Sequence, residues 1–318
     1  MANVIRIHEH GTPSVMRLEA EDIRAPAHGE VCLRQEAIGV NYVDTMVRDG
    51  RFGLPLPVVL GFEGAGVVTS IGTGVTGYSI GDRVGYFFSA GGYASERVID
   101  ANALIALPQD ITTEQAATFL AKGLTAWMGL RALHELRRGE VVLVQGASGG
   151  VGSILSRWAR VIGATVIGVA SSVDKLPKVQ AGADHALCSG DPLFNDKVRA
   201  VAPDGVDTVY DMVGQATFAQ TVQSVRDGGK IVTIGAASGK PQFDAAALAV
   251  RDVEVKGGGT PQYVNDETVA TASAELFKAI RENLFGDLAV SRYSLADAAQ
   301  AHHDQERRLL TGLPILVP

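Results

Sequence analysis

Only two cysteines, Cys32 and Cys188, occur in 318 residues, and they stand far apart. Neither a disulfide framework nor a Cys-rich zinc lobe is supported by so few. Aromatic residues make up 6% of the chain, and no Lys/Arg cluster interrupts a net charge of −7. Nucleic acid and anionic membrane surfaces are therefore not expected partners. No apolar run approaches the ~20 residues that a bilayer span needs. The opening Met1-Ala-Asn-Val-Ile-Arg-Ile-His8 is too short and too polar for a signal peptide. A soluble, cytoplasmic protein is expected.

Apolar residues are plentiful at 46%, with 37 glycines, the balance of an α/β enzyme rich in glycine turns. The length allows one or two domains with a large core. The first third reads as β-rich, with strands expected at Val4–Ile7, Val31–Gly39, Gly64–Ile71, Arg83–Phe88 and Ala94–Ile99. Thr112-Thr-Glu-Gln115 reads as a capping box. A helix is expected from there towards Phe119, and a second after Gly123 towards Leu136.

From Glu140 the pattern alternates. Apolar runs at Val141–Val144, Thr165–Ala170, Ala183–Cys188, Val206–Met212, Lys230–Ile234 and Val253–Lys256 are separated by amphipathic stretches. Such alternation predicts a doubly wound parallel sheet, and six strands match a complete dinucleotide-binding unit. Helices around Ala272–Arg281 and Leu295–Gln305 and a strand Leu313–Val317 close the chain. The expected fold is α/β. A β-rich domain is made from both ends, 1–120 and 260–318, around an inserted Rossmann unit, 121–259, with ligand in the cleft between them.

The first apolar run leads into Gln145-Gly146-Ala-Ser148-Gly149-Gly150-Val151-Gly152. A strand that ends in a glycine turn and feeds a helix can hold a pyrophosphate: the backbone comes close and the helix N-terminus offers N–H groups. Ser148, Gly149, Gly150 and Val151 are the candidate contacts. The same residues also fit G-x-S-x-G, the nucleophile elbow of α/β-hydrolases, with Asp207 or Asp211 and His302 or His303 completing the order Ser, Asp, His. The missing HGGG-type loop and the dinucleotide-domain alternation weigh against that alternative. A purely structural strand-to-helix turn is the third option.

Taken in order, Ile38-Gly-Val-Asn41-Tyr-Val-Asp44-Thr, Gly61-Phe-Glu63-Gly-Ala-Gly66, Gly81-Asp-Arg-Val84, Lys122-Gly-Leu-Thr125 and Gly146–Gly152 form one pattern. The chain resembles the quinone oxidoreductase (zeta-crystallin-like) branch of the zinc-independent medium-chain dehydrogenase/reductase superfamily. The resemblance covers essentially the whole length. It implies a GroES-like catalytic domain, a Rossmann domain and NADPH-dependent reduction of quinones or other conjugated carbonyls. An enoyl or alkenal double-bond reductase is the alternative among enzymes. A mainly NADPH-binding structural or regulatory protein is the alternative outside them.

Zinc relatives of this architecture ligate metal through a Cys near position 41 and a His at position 62. Here those positions hold Asn41 and Phe62, neither of them a fit zinc ligand, so no metal is expected. The seven histidines are scattered, and His302 and His303 are expected at the surface. An NAD site needs an acid about 20 residues beyond the glycines. Ser171 and Ser172 stand there instead, with Lys175 beyond, and hydroxyls and one cation suit a 2′-phosphate.

By resemblance Asn41 and Asp44 line the catalytic site, with Asn41 near the nicotinamide ribose and Asp44 assisting protonation. An N-cap and a turn carboxylate are the plain structural alternative. Met46 and Phe52 replace tyrosines frequent in the family, leaving Tyr42 and Tyr93 as possible substitutes and a more apolar pocket. Lys122, Thr125, Gly235 and Ala236 fall where relatives approach the cofactor. The last Rossmann strand, near Val253–Lys256, is expected to pair with its mate in a homodimer.

Overall fold

The computed structural model describes all residues from Met1 to Pro318. It divides into two units, Met1–Ala121 with Gly286–Pro318, and Lys122–Phe285. The chain opens with β1 (Ala2–Ile7), β2 (Arg17–Glu21), β3 (Glu30–Gly39), α1 (Tyr42–Arg48), β4 (Val58–Val59), β5 (Glu63–Ile71), β6 (Arg83–Tyr86), β7 (Glu96–Asp100), β8 (Ile105–Ala106) and α2 (Thr113–Trp127). The second unit continues with β9 (Val141–Gln145), α3 (Gly150–Ile162), β10 (Thr165–Ala170), α4 (Leu176–Gln180), β11 (His185–Cys188), α5 (Phe194–Val201), β12 (Val206–Asp211), α6 (Phe218–Ser224), β13 (Val225–Thr233), α7 (Ala245–Val250), β14 (Glu254–Gly257), α8 (Thr260–Tyr263) and α9 (Val269–Arg281). β15 (Val290–Ser294), α10 (Ala298–Glu306) and β16 (Leu313–Val317) belong to the first unit again.

The first unit builds a small sheet in the order β2-β1-β4 and a larger one in the order β15-β16-β3-β5-β6-β8, with β7 also on β3. Residue pattern explains the centre of that sheet. β3 is long enough to pair β7 at Glu30–Arg34 and β16 at Ile38 and Gly39, both along one edge, while β5 covers the other. Val31, Leu33 and Ile38 of β3 are fully buried, as a strand covered on both sides requires.

The second unit is a six-stranded parallel sheet in the order β11-β10-β9-β12-β13-β14. In sequence terms that is 3-2-1-4-5-6, the dinucleotide-binding order. Leu143, Ile167, Val209 and Ile231 from four of its strands form the floor of one apolar core.

The capping box at Thr112 is present: Gln115 N–H donates to Thr112 Oγ1 at 3.0 Å and Thr112 N–H to Gln115 Oε1 at 2.9 Å. The two helices expected after it are one, α2, followed by a π-helical turn at Met128–Leu133. Gly123 is not a break in α2. A Cβ there would collide with Leu276 of α9, so the glycine is a notch that admits that side chain. The chain also returns to the first unit at Gly286 rather than at 260. α8 and α9 stay with the second unit because Leu276 fills this notch and Thr260 Oγ1 lies 2.8 Å from Thr125 Oγ1. Finally, β6 stops at Tyr86, short of the expected Phe88, where the backbone turns left-handed at φ 56°.

Candidate active site

In the second unit, β9 runs into a turn at Gly146, with φ 77°, and Gly149 N–H donates to Gly146 O at 3.0 Å. Gly149 caps α3 and is exposed. A Cβ on Gly152 would collide with Gly146 O and stand 2.9 Å from Ala147 Cα. The first turn of α3 therefore rests directly on the loop. The N–H groups of Gly150 and Val151, in that first turn, have no intrahelical acceptor. An exposed glycine ahead of unpaired helix N–H groups, beside half-buried Ser148, fits a pyrophosphate.

Ser171 follows β10, exposed, and Ser172 caps a short 3-10 turn that ends at Lys175. Lys175 Nζ donates to Ser171 Oγ at 3.3 Å. The loop holds one more charge than hydroxyls and a single cation. Asp174 accepts from the Ser172 hydroxyl, which holds its carboxyl below the ordinary range. Asp174 stands in the same loop, and an anion beside Lys175 would offset part of what a 2′-phosphate gains there. Ser189, beyond β11, contributes its carbonyl to Gln220 Nε2 at 3.1 Å.

Gly235 follows β13, its N–H donating to Asp211 O at 3.2 Å, and a Cβ on it would stand 2.6 Å from Met212 O. Ala236 is half-buried beside it. The loops with Ser148, Ser171 and Gly235 thus follow the carboxyl ends of β9, β10 and β13, one edge of a parallel sheet. Lys122 is buried at the start of the unit, and Thr125, one turn along α2, is tied to Thr260.

In the first unit, Asn41 and Asp44 form the N-terminus of α1. Asn41 N–H donates to Asp44 Oδ2 at 2.7 Å, closing the helix's first turn. Asn41 Nδ2 donates to Glu63 Oε2 at 2.8 Å, and Ala121 N–H to Glu63 Oε1 at 2.6 Å. Glu63 carries no role that its motif alone assigns. It is fully buried and fixes the Asn41 amide, a role visible only once β5 and α1 are brought together.

Asp44 has no exposed surface. Its Oδ2 also accepts from Tyr93 OH at 3.0 Å, and Tyr93 OH lies 2.9 Å from His302 Nε2. His302 Nδ1 accepts from Arg48 Nη1 at 3.2 Å, and Arg48 Nη2 pairs with Glu306. Because an arginine can only donate, His302 must carry its proton on Nε2 and donate to Tyr93, which donates on to Asp44. Burial, then the neighbouring Arg48, push the His302 pKa down to about 3. Burial first, then Asp44, push the Tyr93 phenol well up. His302, expected on the surface, is wholly buried: α10 packs its face against Tyr93 and α1, while His303 stays half-exposed. Tyr42 is exposed and takes Arg51 over its ring at 5.5 Å.

These partners leave no Ser-His-Asp arrangement. Both nitrogens of His302 are engaged with Tyr93 and Arg48. Asp211 accepts from Val213 and Gly214 N–H and Thr221 Oγ1, and Asp207 from Val141 N–H and Arg226. At the position of a zinc-ligating His, Phe62 is buried and stacks on Phe88 with centroids 5.2 Å apart.

Residues 27–109 match the alcohol dehydrogenase GroES-like domain family, and residues 150–277 the zinc-binding dehydrogenase family. The quinone oxidoreductase of Salmonella typhimurium is 34% identical, with all of each chain covered. The chain belongs to the quinone oxidoreductase family of medium-chain dehydrogenases/reductases. Within this family's reach lies a 2-haloacrylate reductase from a Burkholderia species, 33% identical over 98% of each chain. The solved quinone oxidoreductase of Escherichia coli, complexed with NADPH, superposes with a TM-score of 0.94 at 32% identity, covering 99% of this chain and 100% of that one.

Proposed function

We propose that this quinone oxidoreductase family member is a zinc-independent, NADPH-dependent reductase of quinones or other α,β-unsaturated carbonyls. The observation that carries it is the chemistry at the would-be metal position. Phe62 is packed among aromatic rings and Asn41 is tied to a buried carboxylate, so neither can hold zinc. No group of three or more His, Cys, Asp or Glu side chains is placed so that it could hold a metal ion. The Escherichia coli relative's NADPH and the Burkholderia relative's activated double bond support cofactor and acceptor class.

When bound, NADPH supplies the hydride. The chain's own residues bind and orient. Ser148, Gly149, Gly150 and Val151 cradle the pyrophosphate, and Ser171, Ser172 and Lys175 read the 2′-phosphate against the opposing charge of Asp174. Lys122, Thr125, Gly235 and Ala236 line the approach of the nicotinamide half. Asn41, its amide fixed by Glu63, contacts the ribose. Asp44 is a positioning residue. Every donor in its buried chain points at its carboxylate, which holds the end of α1 and thereby Asn41.

NADPH oxidation with 1,4-naphthoquinone by chelator-dialysed protein tests the reading, and turnover should match that of untreated protein. Losing one charge-assisted phosphate contact costs about 1.5–3 kcal/mol. Lys175→Ala should therefore weaken NADPH roughly tenfold or more and NADH little. Activity restored only by zinc, or equal weakening of both cofactors, would overturn the corresponding part.

The protein is further proposed to act as a cytoplasmic homodimer; no helix is long and apolar enough to cross a membrane. β14 pairs only with β13 and leaves its other edge open. It is less apolar than expected, because Glu254 and Lys256 flank Val255, and Glu254 is ion-paired both to Lys256 and to Lys230 of β13. An antiparallel two-fold pairing centred on Val255 would set each Glu254 opposite the Lys256 of the other copy, satisfying the edge and the charges together. Sedimentation should give a dimer at micromolar concentration; a clean monomer refutes it.

A further inference from the structure

Gln145 ends β9, one residue before the turn at Gly146, and only 1% of it is exposed. A primary amide withdrawn from water costs stability unless its hydrogen bonds are remade. Gln145 Nε2 donates to Gln220 Oε1 of α6 at 3.3 Å. Gln220 Nε2 donates in turn to the Ser189 carbonyl, beyond β11, at 3.1 Å. A carbonyl can only accept, so the Gln220 amide has one orientation, nitrogen towards Ser189 and oxygen towards Gln145. Ser189 N–H donates to Ala170 O at 2.9 Å, one residue before Ser171. Three hydrogen bonds thus run from the neighbour of Gly146 to the neighbour of Ser171. The middle of this chain is anchored. Thr221, next to Gln220, donates its hydroxyl to Asp211 Oδ2 at 3.1 Å, and Asp211 Oδ1 accepts from Val213 and Gly214 N–H beyond β12. Gln220 therefore stands on a helix tied to β12 and reaches across the sheet to the ends of β9 and β11.

We propose that Gln220 is a positioning residue that fixes the span between the turn at Gly146 and the loop at Ser171, so that one dinucleotide engages both at once. The proposal rests on the reading of those loops as the pyrophosphate and 2′-phosphate sites. A ligand that carries both groups must meet two anchors together. Where the anchors keep their spacing, the second contact demands no further ordering of the protein; where they drift, each binding event must first restore it. A ligand that needs only one anchor is indifferent to the spacing. Gln220 acts through Gln145 and Ser189, so its signature is a loss concentrated on ligands that carry both groups. A loosened sheet edge would instead weaken every ligand alike.

The test measures Kd by calorimetry for NADPH, NADH and adenosine 2′-monophosphate in wild type, Gln220→Leu and the double variant Gln145→Leu/Gln220→Leu. Gln220→Leu removes both bonds of the bridge, and NADPH should weaken roughly tenfold, the scale of two neutral hydrogen bonds. NADH, which lacks the 2′-phosphate, and the monophosphate, which lacks the pyrophosphate, should each change little. Gln220→Leu also strands the buried Gln145 amide and should melt lower than wild type. The double variant puts apolar groups at both ends and should regain that stability. Its NADPH affinity should stay roughly tenfold down, because the span is still unheld. The bridge is overturned by unchanged NADPH binding in Gln220→Leu, or by NADH or the monophosphate weakening as much as NADPH. A double variant that recovers NADPH affinity along with its stability overturns it too. Wild-type protein that binds none of the three ligands would instead bring down the reading of the loops, and the bridge with it.

Discussion

A conjugated enone should be reduced at least about a thousandfold faster than its saturated ketone under identical NADPH, because each ~1.4 kcal/mol of barrier is a factor of ten and several are expected here. An isolated carbonyl needs a Lewis acid or a strong donor to take up hydride. The residues that would supply one are otherwise occupied. Phe62 fills the metal position, the Asn41 amide is bound to Glu63, and the Tyr93 hydroxyl is spent on Asp44. An enone or quinone delocalises the arriving charge itself. The same pair of substrates distinguishes roles for Asp44. As a positioning residue, its Asp44→Asn variant should lower kcat for both acceptors alike and leave the pH profile where it is. A displaced profile would return Asp44 to the role of proton source. Comparable rates for enone and ketone would mean an electrophilic group is at work that these residues do not provide, and the conjugate-reductase assignment would fall.

Mild acid should destabilise the protein through one side chain. Folded His302 stays neutral down to about pH 3, whereas in the unfolded chain it protonates near the ordinary 6.5. The unfolded state thus binds the extra proton, so the contribution is complete above pH 6.5 and drains away as pH falls towards 3. The loss amounts to about 2 kcal/mol at pH 5 and on the order of 5 kcal/mol near pH 3, at 1.36 kcal/mol per unit. Between about pH 6.5 and 5 few carboxylates titrate, so the slope belongs to histidine. Urea unfolding across that window should show declining stability in wild type. His302→Gln, an uncharged side chain able to meet Tyr93, should flatten it. A flat wild-type curve would mean that His302 protonates within the fold.

Local signals read well from the sequence, while pairing across the chain read poorly. The capping box at Thr112 and the strand Thr165–Ala170 came out where expected, because each depends on residues within a few positions. Gly123 misled because its partner, Leu276, lies on another helix, and a notch looks like a break until the side chain that fills it is known. His302 misled for a similar reason: a polar helix segment reads as surface, and only the folded chain reveals Tyr93 and Arg48 waiting for an imidazole. The N-cap that the sequence offers as the plain structural alternative at Asn41 and Asp44 is formed, because it too depends on residues within one helical turn. Glu63 stayed silent because a lone carboxylate on a strand has no pattern of its own. Asp174 is legible in the sequence, two residues beyond Ser172.

The placement of β15 and β16 has a consequence for the order in which the protein is made. Residues 122–285 form an unbroken unit and leave the ribosome before Gly286. All six strands of the parallel sheet can therefore assemble while the first unit is still missing two strands. Until β16 arrives, Ile38 and Gly39 of β3 present an unpaired edge, although β3 itself was synthesised early. The N-terminal segment is thus the older one but the later to be completed. During translation its open strand, rather than the nucleotide-binding unit, is the place where one nascent chain can pair with another.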